Sequence, residues 1–81
     1  MIVKLRGVKN IYITSEYIRL DALLKFAAIA SSGGEAKAMI KSGDIFIGGA
    51  PCTIRGKKLR SGDIVRYGNE SLRVRVKDIK W

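Results

Sequence analysis

Segment 55–60 carries the densest charge in this sequence. It reads Arg55-Gly56-Lys57-Lys58-Leu59-Arg60, with four cations and no acid. The whole chain of 81 residues shares this bias, since 16 Lys and Arg stand against 7 Asp and Glu, for a net charge of +9. Crowded cations repel one another, and a polyanion relieves the repulsion as its counterions are released. We therefore expect segment 55–60 to bind a polyanion, and the alternative is a solvated loop that serves solubility.

A second candidate anion site is the turn Ser32-Gly33-Gly34. Ser32 stands three residues before Glu35, the spacing of a capping box, so Ser32 is predicted to cap a helix. Bare backbone N–H groups at such a helix start suit a phosphate. Lys37 and Lys41 follow on the same predicted helix. The alternatives are a tight turn between two helices, in which Glu35 would oppose an anion, and a solvated pair of lysines.

The remaining basic and aromatic residues carry weaker predictions. Arg73, Arg75 and Lys77 alternate with apolar residues, which indicates the solvent side of an edge strand. The aromatic residues are few and scattered, without the paired rings of a single-strand reader, so we expect most of them in the core. They are Tyr12, Tyr17, Phe26, Phe46, Tyr67 and Trp81.

Several classes of function are disfavoured by composition. The chain has no His and a single Cys, Cys52, so it lacks the residues for a Ser-His-Asp triad, a Cys-His pair or a multi-thiolate metal cage. It also has no internal disulfide, which favours a reducing, cytoplasmic location. The apolar stretch 22–30 is interrupted by Lys25 and is too short to span a bilayer, and no signal peptide is recognised. We expect a protein without cofactor, metal, catalytic activity or membrane partner.

The order of elements predicts an α+β domain. Short strands are expected at 2–5 and 11–14, an amphipathic helix at 19–30, and a second helix from Ser32 to its stop at Gly43. A hairpin with a short or edge second strand follows at 44–54, then a loop at 55–62, and strands at 63–67 and 71–77. Two helices in a helix-turn-helix hairpin, packed on a small, mainly antiparallel sheet, form a single domain over residues 1–81.

Three groups of residues occur in a characteristic order. They are Arg19-Leu20-Asp21-x-x-Leu24, then Ser32-x-x-Glu35-Ala36-Lys37-x-x-Ile40-x-x-Gly43-x-Ile45-x-Ile47-x-Gly49, and Lys58-Leu59-x-x-Gly62-Asp63-x-Val65. Over residues 17–67 this series resembles the S4 RNA-binding domain. The turn at 32–34 and segment 55–59 look most like the small stand-alone S4-like proteins of bacteria. The resemblance implies the S4 (alpha-L) fold, in agreement with the elements above.

The resemblance also implies a site. In that family the start of the first helix, the second helix and the following β-loop form a basic surface that grips structured RNA, usually ribosomal or transfer RNA. The matching residues here are Arg19, Ser32, Lys37, Lys41, Arg55, Lys57, Lys58 and Arg60, with the amides of Gly33 and Gly34 beside them. Two positions depart from the pattern, because Gly33 and Ala38 stand where many S4 domains carry basic residues. Either segment 55–60 and the glycine amides make the RNA contacts instead, which we favour, or the partner has changed.

These observations favour a monomeric, non-catalytic module that binds structured RNA. Ribosomal RNA or a ribosomal subunit is preferred over transfer RNA. DNA is an alternative ligand, because phosphate contacts do not distinguish RNA from DNA. The alternative function is a protein–protein adaptor in a nucleic-acid-processing assembly that reuses the S4 surface. An enzyme is the least favoured class.

Overall fold

Residues 8–77 are described by a computed structural model of the chain. The strand predicted at 2–5 lies outside these residues, as does Trp81. Nine elements follow one another: β1 (Lys9–Ile13), β2 (Tyr17–Arg19), α1 (Leu20–Phe26), α2 (Gly33–Lys41), β3 (Ile45–Ile47), β4 (Ala50–Pro51), β5 (Lys58–Arg60), β6 (Ile64–Tyr67) and β7 (Glu70–Val76).

Most strands join one five-stranded sheet in the order β1-β7-β6-β3-β4. Its pairings are antiparallel except for β1 and β7, which run parallel with Ile11 opposite Val74. A separate two-stranded ribbon joins β2 to β5. The α+β prediction of a helix hairpin on a mainly antiparallel sheet is confirmed. The prediction that Arg73 and Arg75 lie on an edge strand is wrong, because β7 has a hydrogen-bonded neighbour on each side.

Helix α1 is shorter than its apolar pattern suggested. Leu20, Leu23 and Leu24 recur three and four residues apart and are fully buried, as expected of the predicted amphipathic helix, but the helix ends at Phe26 and not at residue 30. Ala28 takes the left-handed conformation, with φ of 61°. The N–H groups of residues 29 and 30 then both donate to the carbonyl of Leu24. This left-handed turn satisfies the carbonyls at the helix end and redirects the chain toward α2.

Helix α2 begins and ends where the sequence indicated. The Ser32 hydroxyl accepts a hydrogen bond from the N–H of Glu35 at 3.1 Å, so Ser32 is the cap. The Glu35 carboxylate completes the start by accepting from the N–H and hydroxyl of Ser31, one residue earlier than in a capping box. Beyond the C-terminal end, Gly43 has φ of 84°, a conformation that glycine adopts without strain.

The core lies between the helix hairpin and one face of the sheet. Its buried side chains come from α1, the turn between the helices, α2, β5 and the alternate positions of the sheet strands: Ile11, Ile13, Leu20, Leu23, Leu24, Ala30, Ala36, Ile40, Ile45, Leu59, Val65, Leu72 and Val74. The prediction that most aromatic residues belong to the core is wrong. Tyr12, Tyr17 and Phe26 are exposed, while Phe46 and Tyr67 are partly buried. The core is aliphatic, so the exposed rings are available for other contacts.

Candidate nucleic-acid interface

Part of the basic segment forms a strand. The loop predicted at 55–62 contains β5, which pairs with β2 so that Arg60 lies opposite Tyr17 and Lys58 opposite Arg19. Leu59, between the two cations, is fully buried in the core. A three-residue strand with two cations has too little apolar pattern to be recognised in sequence. Because Leu59 anchors the ribbon, Lys58 and Arg60 are held on its exposed side.

The start of α1 is docked on the backbone of segment 55–57. Helix α1 begins after Arg19, and no side chain caps it. The N–H of Leu20 donates to the carbonyl of Lys57 at 2.9 Å, and the N–H of Asp21 to the carbonyl of Arg55 at 3.2 Å. These donors have no acceptor within their own helix, so segment 55–57 replaces the missing cap. The backbone of Arg55 and Lys57 is therefore held beside the positive end of α1.

One carboxylate gathers two arginines. Oδ2 of Asp21 lies 3.2 Å from Nη2 of Arg19 and 3.3 Å from Nε of Arg55. About half of each arginine side chain stays exposed, 52% and 49% respectively. A methyl group added at Gly56 would stand 3.5 Å from Nη2 of Arg19, so the guanidinium lies close over the glycine backbone. Exposed ion pairs of this kind contribute little to stability, but they orient both guanidinium groups before any ligand arrives.

Tyr17 joins the same surface and was not a predicted site residue. Nζ of Lys58 lies 4.8 Å from the centre of its ring, and Cζ of Arg60 lies 5.7 Å away. Both distances are within the range of cation–π attraction. The contacts of the Tyr17 ring with the two cations depend on the pairing of β2 with β5, and no local sequence pattern predicts that pairing. The ring limits the freedom of two cations that would otherwise be mobile.

An open cleft connects this cluster with the start of α2. The cleft, of about 260 Å³, is lined by Arg19, Asp21, Ala22, Lys25 and Gly33. Gly33 has no atom within 4 Å of the place where a Cβ would stand, and its φ is not positive. Lys25 is a further cation at this point that sequence reasoning left out of the site. The predicted anion turn at 32–34 is thus brought beside Arg19.

The two lysines of α2 extend the surface away from the cleft. Lys37 and Lys41 stand four and eight residues after Gly33, so the three positions share one stripe of the helix. Both lysines are exposed, and neither takes part in the ion pairs or ring contacts found within residues 8–77. We define the basic interface as the cleft bordered by Arg19 and Lys25 together with the cations of segment 55–60, which are Arg55, Lys57, Lys58 and Arg60.

Residues 8–77 contain no group of three or more His, Cys, Asp or Glu side chains placed to hold a metal ion. Among these residues no helix has the length and apolar character needed to cross a membrane.

Similarity to known proteins covers the whole interface. The family model of the S4 domain matches residues 11–75, which include every residue of the basic interface. A relative from Bacillus subtilis (strain 168), described as the probable ribosome maturation protein RlbA, is 38% identical over 55 residues. The aligned part is 68% of this chain and 78% of the relative.

Proposed function

This chain belongs to the S4 domain family, and from that premise we propose that it is a non-catalytic protein that binds structured RNA of the ribosome. The observation that carries the proposal is the docking of segment 55–57 on the start of α1. It brings Arg55 and Lys57 beside Arg19 and Asp21, while β5 presents Lys58 and Arg60 on the adjoining ribbon and the cleft adds Lys25. Fixed cations of one sign attract the phosphates of a folded RNA more effectively than mobile ones.

The mechanism follows from the types of donor at the interface. The guanidinium groups of Arg19 and Arg55 present several N–H donors that suit a phosphate, whereas Lys57 and Lys58 act as point charges. The exposed N–H groups of Gly33 and Gly34 lie at the positive end of α2 and favour a further phosphate. Such contacts recognise the spacing of phosphates and 2′-hydroxyls in an A-form helix and depend little on the base sequence.

The choice of RNA is supported by the relative. RlbA of Bacillus subtilis is described as a probable ribosome maturation protein. We therefore favour ribosomal RNA, bound on a ribosomal subunit or its precursor, over transfer RNA. We further propose that residues 1–81 form one domain that acts as a monomer, with all ten predicted site residues contacting or flanking the RNA.

Crosslinking in cells tests this function. The tagged full-length protein is crosslinked and the attached RNA is sequenced, beside a variant in which Lys57, Lys58 and Arg60 are all replaced by Ala. We expect reads clustered at a few helices of ribosomal RNA for the native chain, and a large loss of those reads for the variant. Reads spread evenly over transfer and messenger RNA, or clusters unchanged in the variant, would contradict the proposal.

A protein–protein adaptor is the second candidate, and one observation favours it. Phe26 is 63% exposed and borders an apolar groove of about 300 Å³ with Ile18 and residues 12–15. An exposed ring of this size at an apolar groove suits contact with a protein partner. The variant Phe26→Ser distinguishes the candidates. If the chain is an adaptor, Phe26→Ser should lose its association with ribosomal particles. If the chain binds RNA directly, this variant should keep both its affinity for purified RNA and its association with the particles.

A further inference from the structure

The five-stranded sheet has a second face that the helices do not cover. Side chains alternate along each strand, and those that pack on α1 and α2 leave their neighbours on the opposite side. Register places Tyr12 beside Arg75 and Phe46 beside Arg66, and Ile64 lies opposite Arg73. We call this side the open face; its residues are Asn10, Tyr12, Phe46, Ile64, Arg66, Ser71, Arg73 and Arg75.

The charge of the open face is of one sign. It holds three arginines, and Lys77 continues the same alternation just past β7. Within the bounds given for the strands of the five-stranded sheet, Glu70 is the one acid, and it lies on the same side of β7 as Leu72 and Val74. Both ion pairs found within residues 8–77 are made by Asp21, and neither includes an arginine of the open face. The open face therefore complements a polyanion.

The open face also carries exposed ring surface between its cations. Cζ of Arg66 lies 5.0 Å from the centre of the Phe46 ring. Phe46, Ile64, Arg66 and Ser71 border a groove of about 240 Å³ that ends at Gly48 and Gly49. Tyr12, on the edge strand β1, is 56% exposed. Between β3 and β1 the sheet spans three strand spacings, about 14 Å. The register also offsets the two rings along β7, since Phe46 shares the row of Ser71 and Tyr12 the row of Arg75, and the arginines lie between them.

We propose that the open face is a second nucleic-acid site, and that its ligand is a single-stranded segment of RNA. Phosphates alone would need only the arginines, whereas rings interleaved with arginines also provide stacking for bases. A double helix hides the faces of its bases, so only an unpaired strand can use both kinds of group. The groove beside Phe46 has room for one planar base, with the guanidinium of Arg66 at its border.

The site goes beyond the proposed function, because the sheet itself separates the open face from the helix layer. A paired stem bound at the basic interface and an unpaired segment bound at the open face make contact with different residues. One protein can then hold both at once. The preferred target is RNA in which a stem adjoins an unpaired strand.

Titration followed by amide NMR spectra locates each ligand. The probes are an unstructured RNA oligonucleotide of about ten nucleotides, within the range bound by single-strand readers, and a stem-loop without flanks. We expect the oligonucleotide to shift amides of β1, β3, β6 and β7, and the stem-loop to shift those of α1, the turn at 32–34 and β5. The two sets of shifts should coexist when both probes are present. Oligonucleotide shifts confined to β5 and α1 would overturn the second site.

Matched variants test the residues. Arg73→Gln combined with Arg75→Gln should weaken oligonucleotide binding about fivefold to tenfold, and Tyr12→Ala, at an exposed ring, about fivefold or more. The control, Lys57→Gln combined with Lys58→Gln, removes the same charge from the basic interface and should change oligonucleotide binding less than about twofold at moderate salt. Melting temperatures verify that each variant is folded.

Two results would refute the assignment. An equal loss in both double variants would mean that the oligonucleotide senses only net charge. Full oligonucleotide affinity in folded Tyr12→Ala and in the Arg73, Arg75 variant would leave the open face to another partner, such as an acidic protein. Failure of the stem-loop alone to bind would instead contradict the proposed function and leave the open-face measurement intact.

Discussion

The backbone N–H of Leu20 donates to the carbonyl of Lys57 at 2.9 Å, across 37 positions of sequence. This bond ties the first residue of α1 to the basic segment and supplies an acceptor that the helix start lacks. It also explains why an arginine, Arg19, can stand at the N-cap, where Ser, Thr, Asp or Asn is preferred. The same contact that completes the helix thus assembles the basic interface.

Salt dependence is the first test of the electrostatic mechanism. With four to six phosphates contacted, the logarithm of the association constant for a stem-loop RNA should fall with the logarithm of salt concentration at a slope of about −3 to −5. Binding isotherms at several salt concentrations measure it. A slope near zero, or no binding even at low salt, would exclude phosphate contacts as the source of affinity.

Removing three cations of the basic segment should weaken RNA binding without unfolding the chain. Lys57, Lys58 and Arg60 are exposed, so their joint replacement by Ala is expected to weaken the free energy of RNA binding by roughly 1 kcal/mol or less per residue. The loss should be similar for different stem-loops, because phosphate contacts carry no base sequence.

The matched control replaces three arginines of the open face, Arg66, Arg73 and Arg75, by Gln. Binding of the stem-loop should change less in this control than in the variant of the basic segment. Equal losses would show that net charge, and not the position of the cations, governs affinity. Undiminished binding in the folded triple Ala variant would identify segment 55–60 as a solubility device.

Gly33→Arg should tighten RNA binding by roughly 1 kcal/mol, because a guanidinium there borders the cleft at Arg19 and can contact a phosphate. The fold should tolerate it, since φ is not positive at Gly33 and no atom lies within 4 Å of the added Cβ. Gly33→Ala isolates the backbone effect from the charge. Gly43→Arg, at φ of 84°, should lower stability with no gain in affinity. A folded Gly33→Arg protein with native affinity would remove this face from the RNA contact.

Ala28→Gly should stabilise the protein. A non-glycine residue in the left-handed region costs about 1–2 kcal/mol, and Ala28 has φ of 61°. Part of that gain is offset by the greater freedom of glycine in the unfolded chain, so we expect about 0.5–1 kcal/mol and a melting temperature several degrees higher. The control Ala22→Gly, within α1, should lower stability by a similar amount. A fall in melting temperature for Ala28→Gly would contradict the strained conformation.

The sequence by itself determined the features that depend on near neighbours. The cap at Ser32, the stop at Gly43 and the leucine stripe of α1 follow from spacings of three and four residues, and the structure has all three. The series of residues from Arg19 to Val65 was enough to identify the family, which the match over residues 11–75 shows. Local hydrogen bonds and periodic burial are encoded within a helical turn or a strand, so they are readable without a fold.

Only the tertiary structure decided which distant residues meet. The strand at Lys58–Arg60 exists because β2 accepts it as a partner, and that pairing places Tyr17 under two cations. The central position of β7 likewise depends on β1 returning beside it in parallel, which no alternation within β7 reveals. Strand pairing depends on the burial of residues such as Leu59 and Val74 in a shared core. That burial involves residues distant in sequence, so a short sequence window does not reveal it.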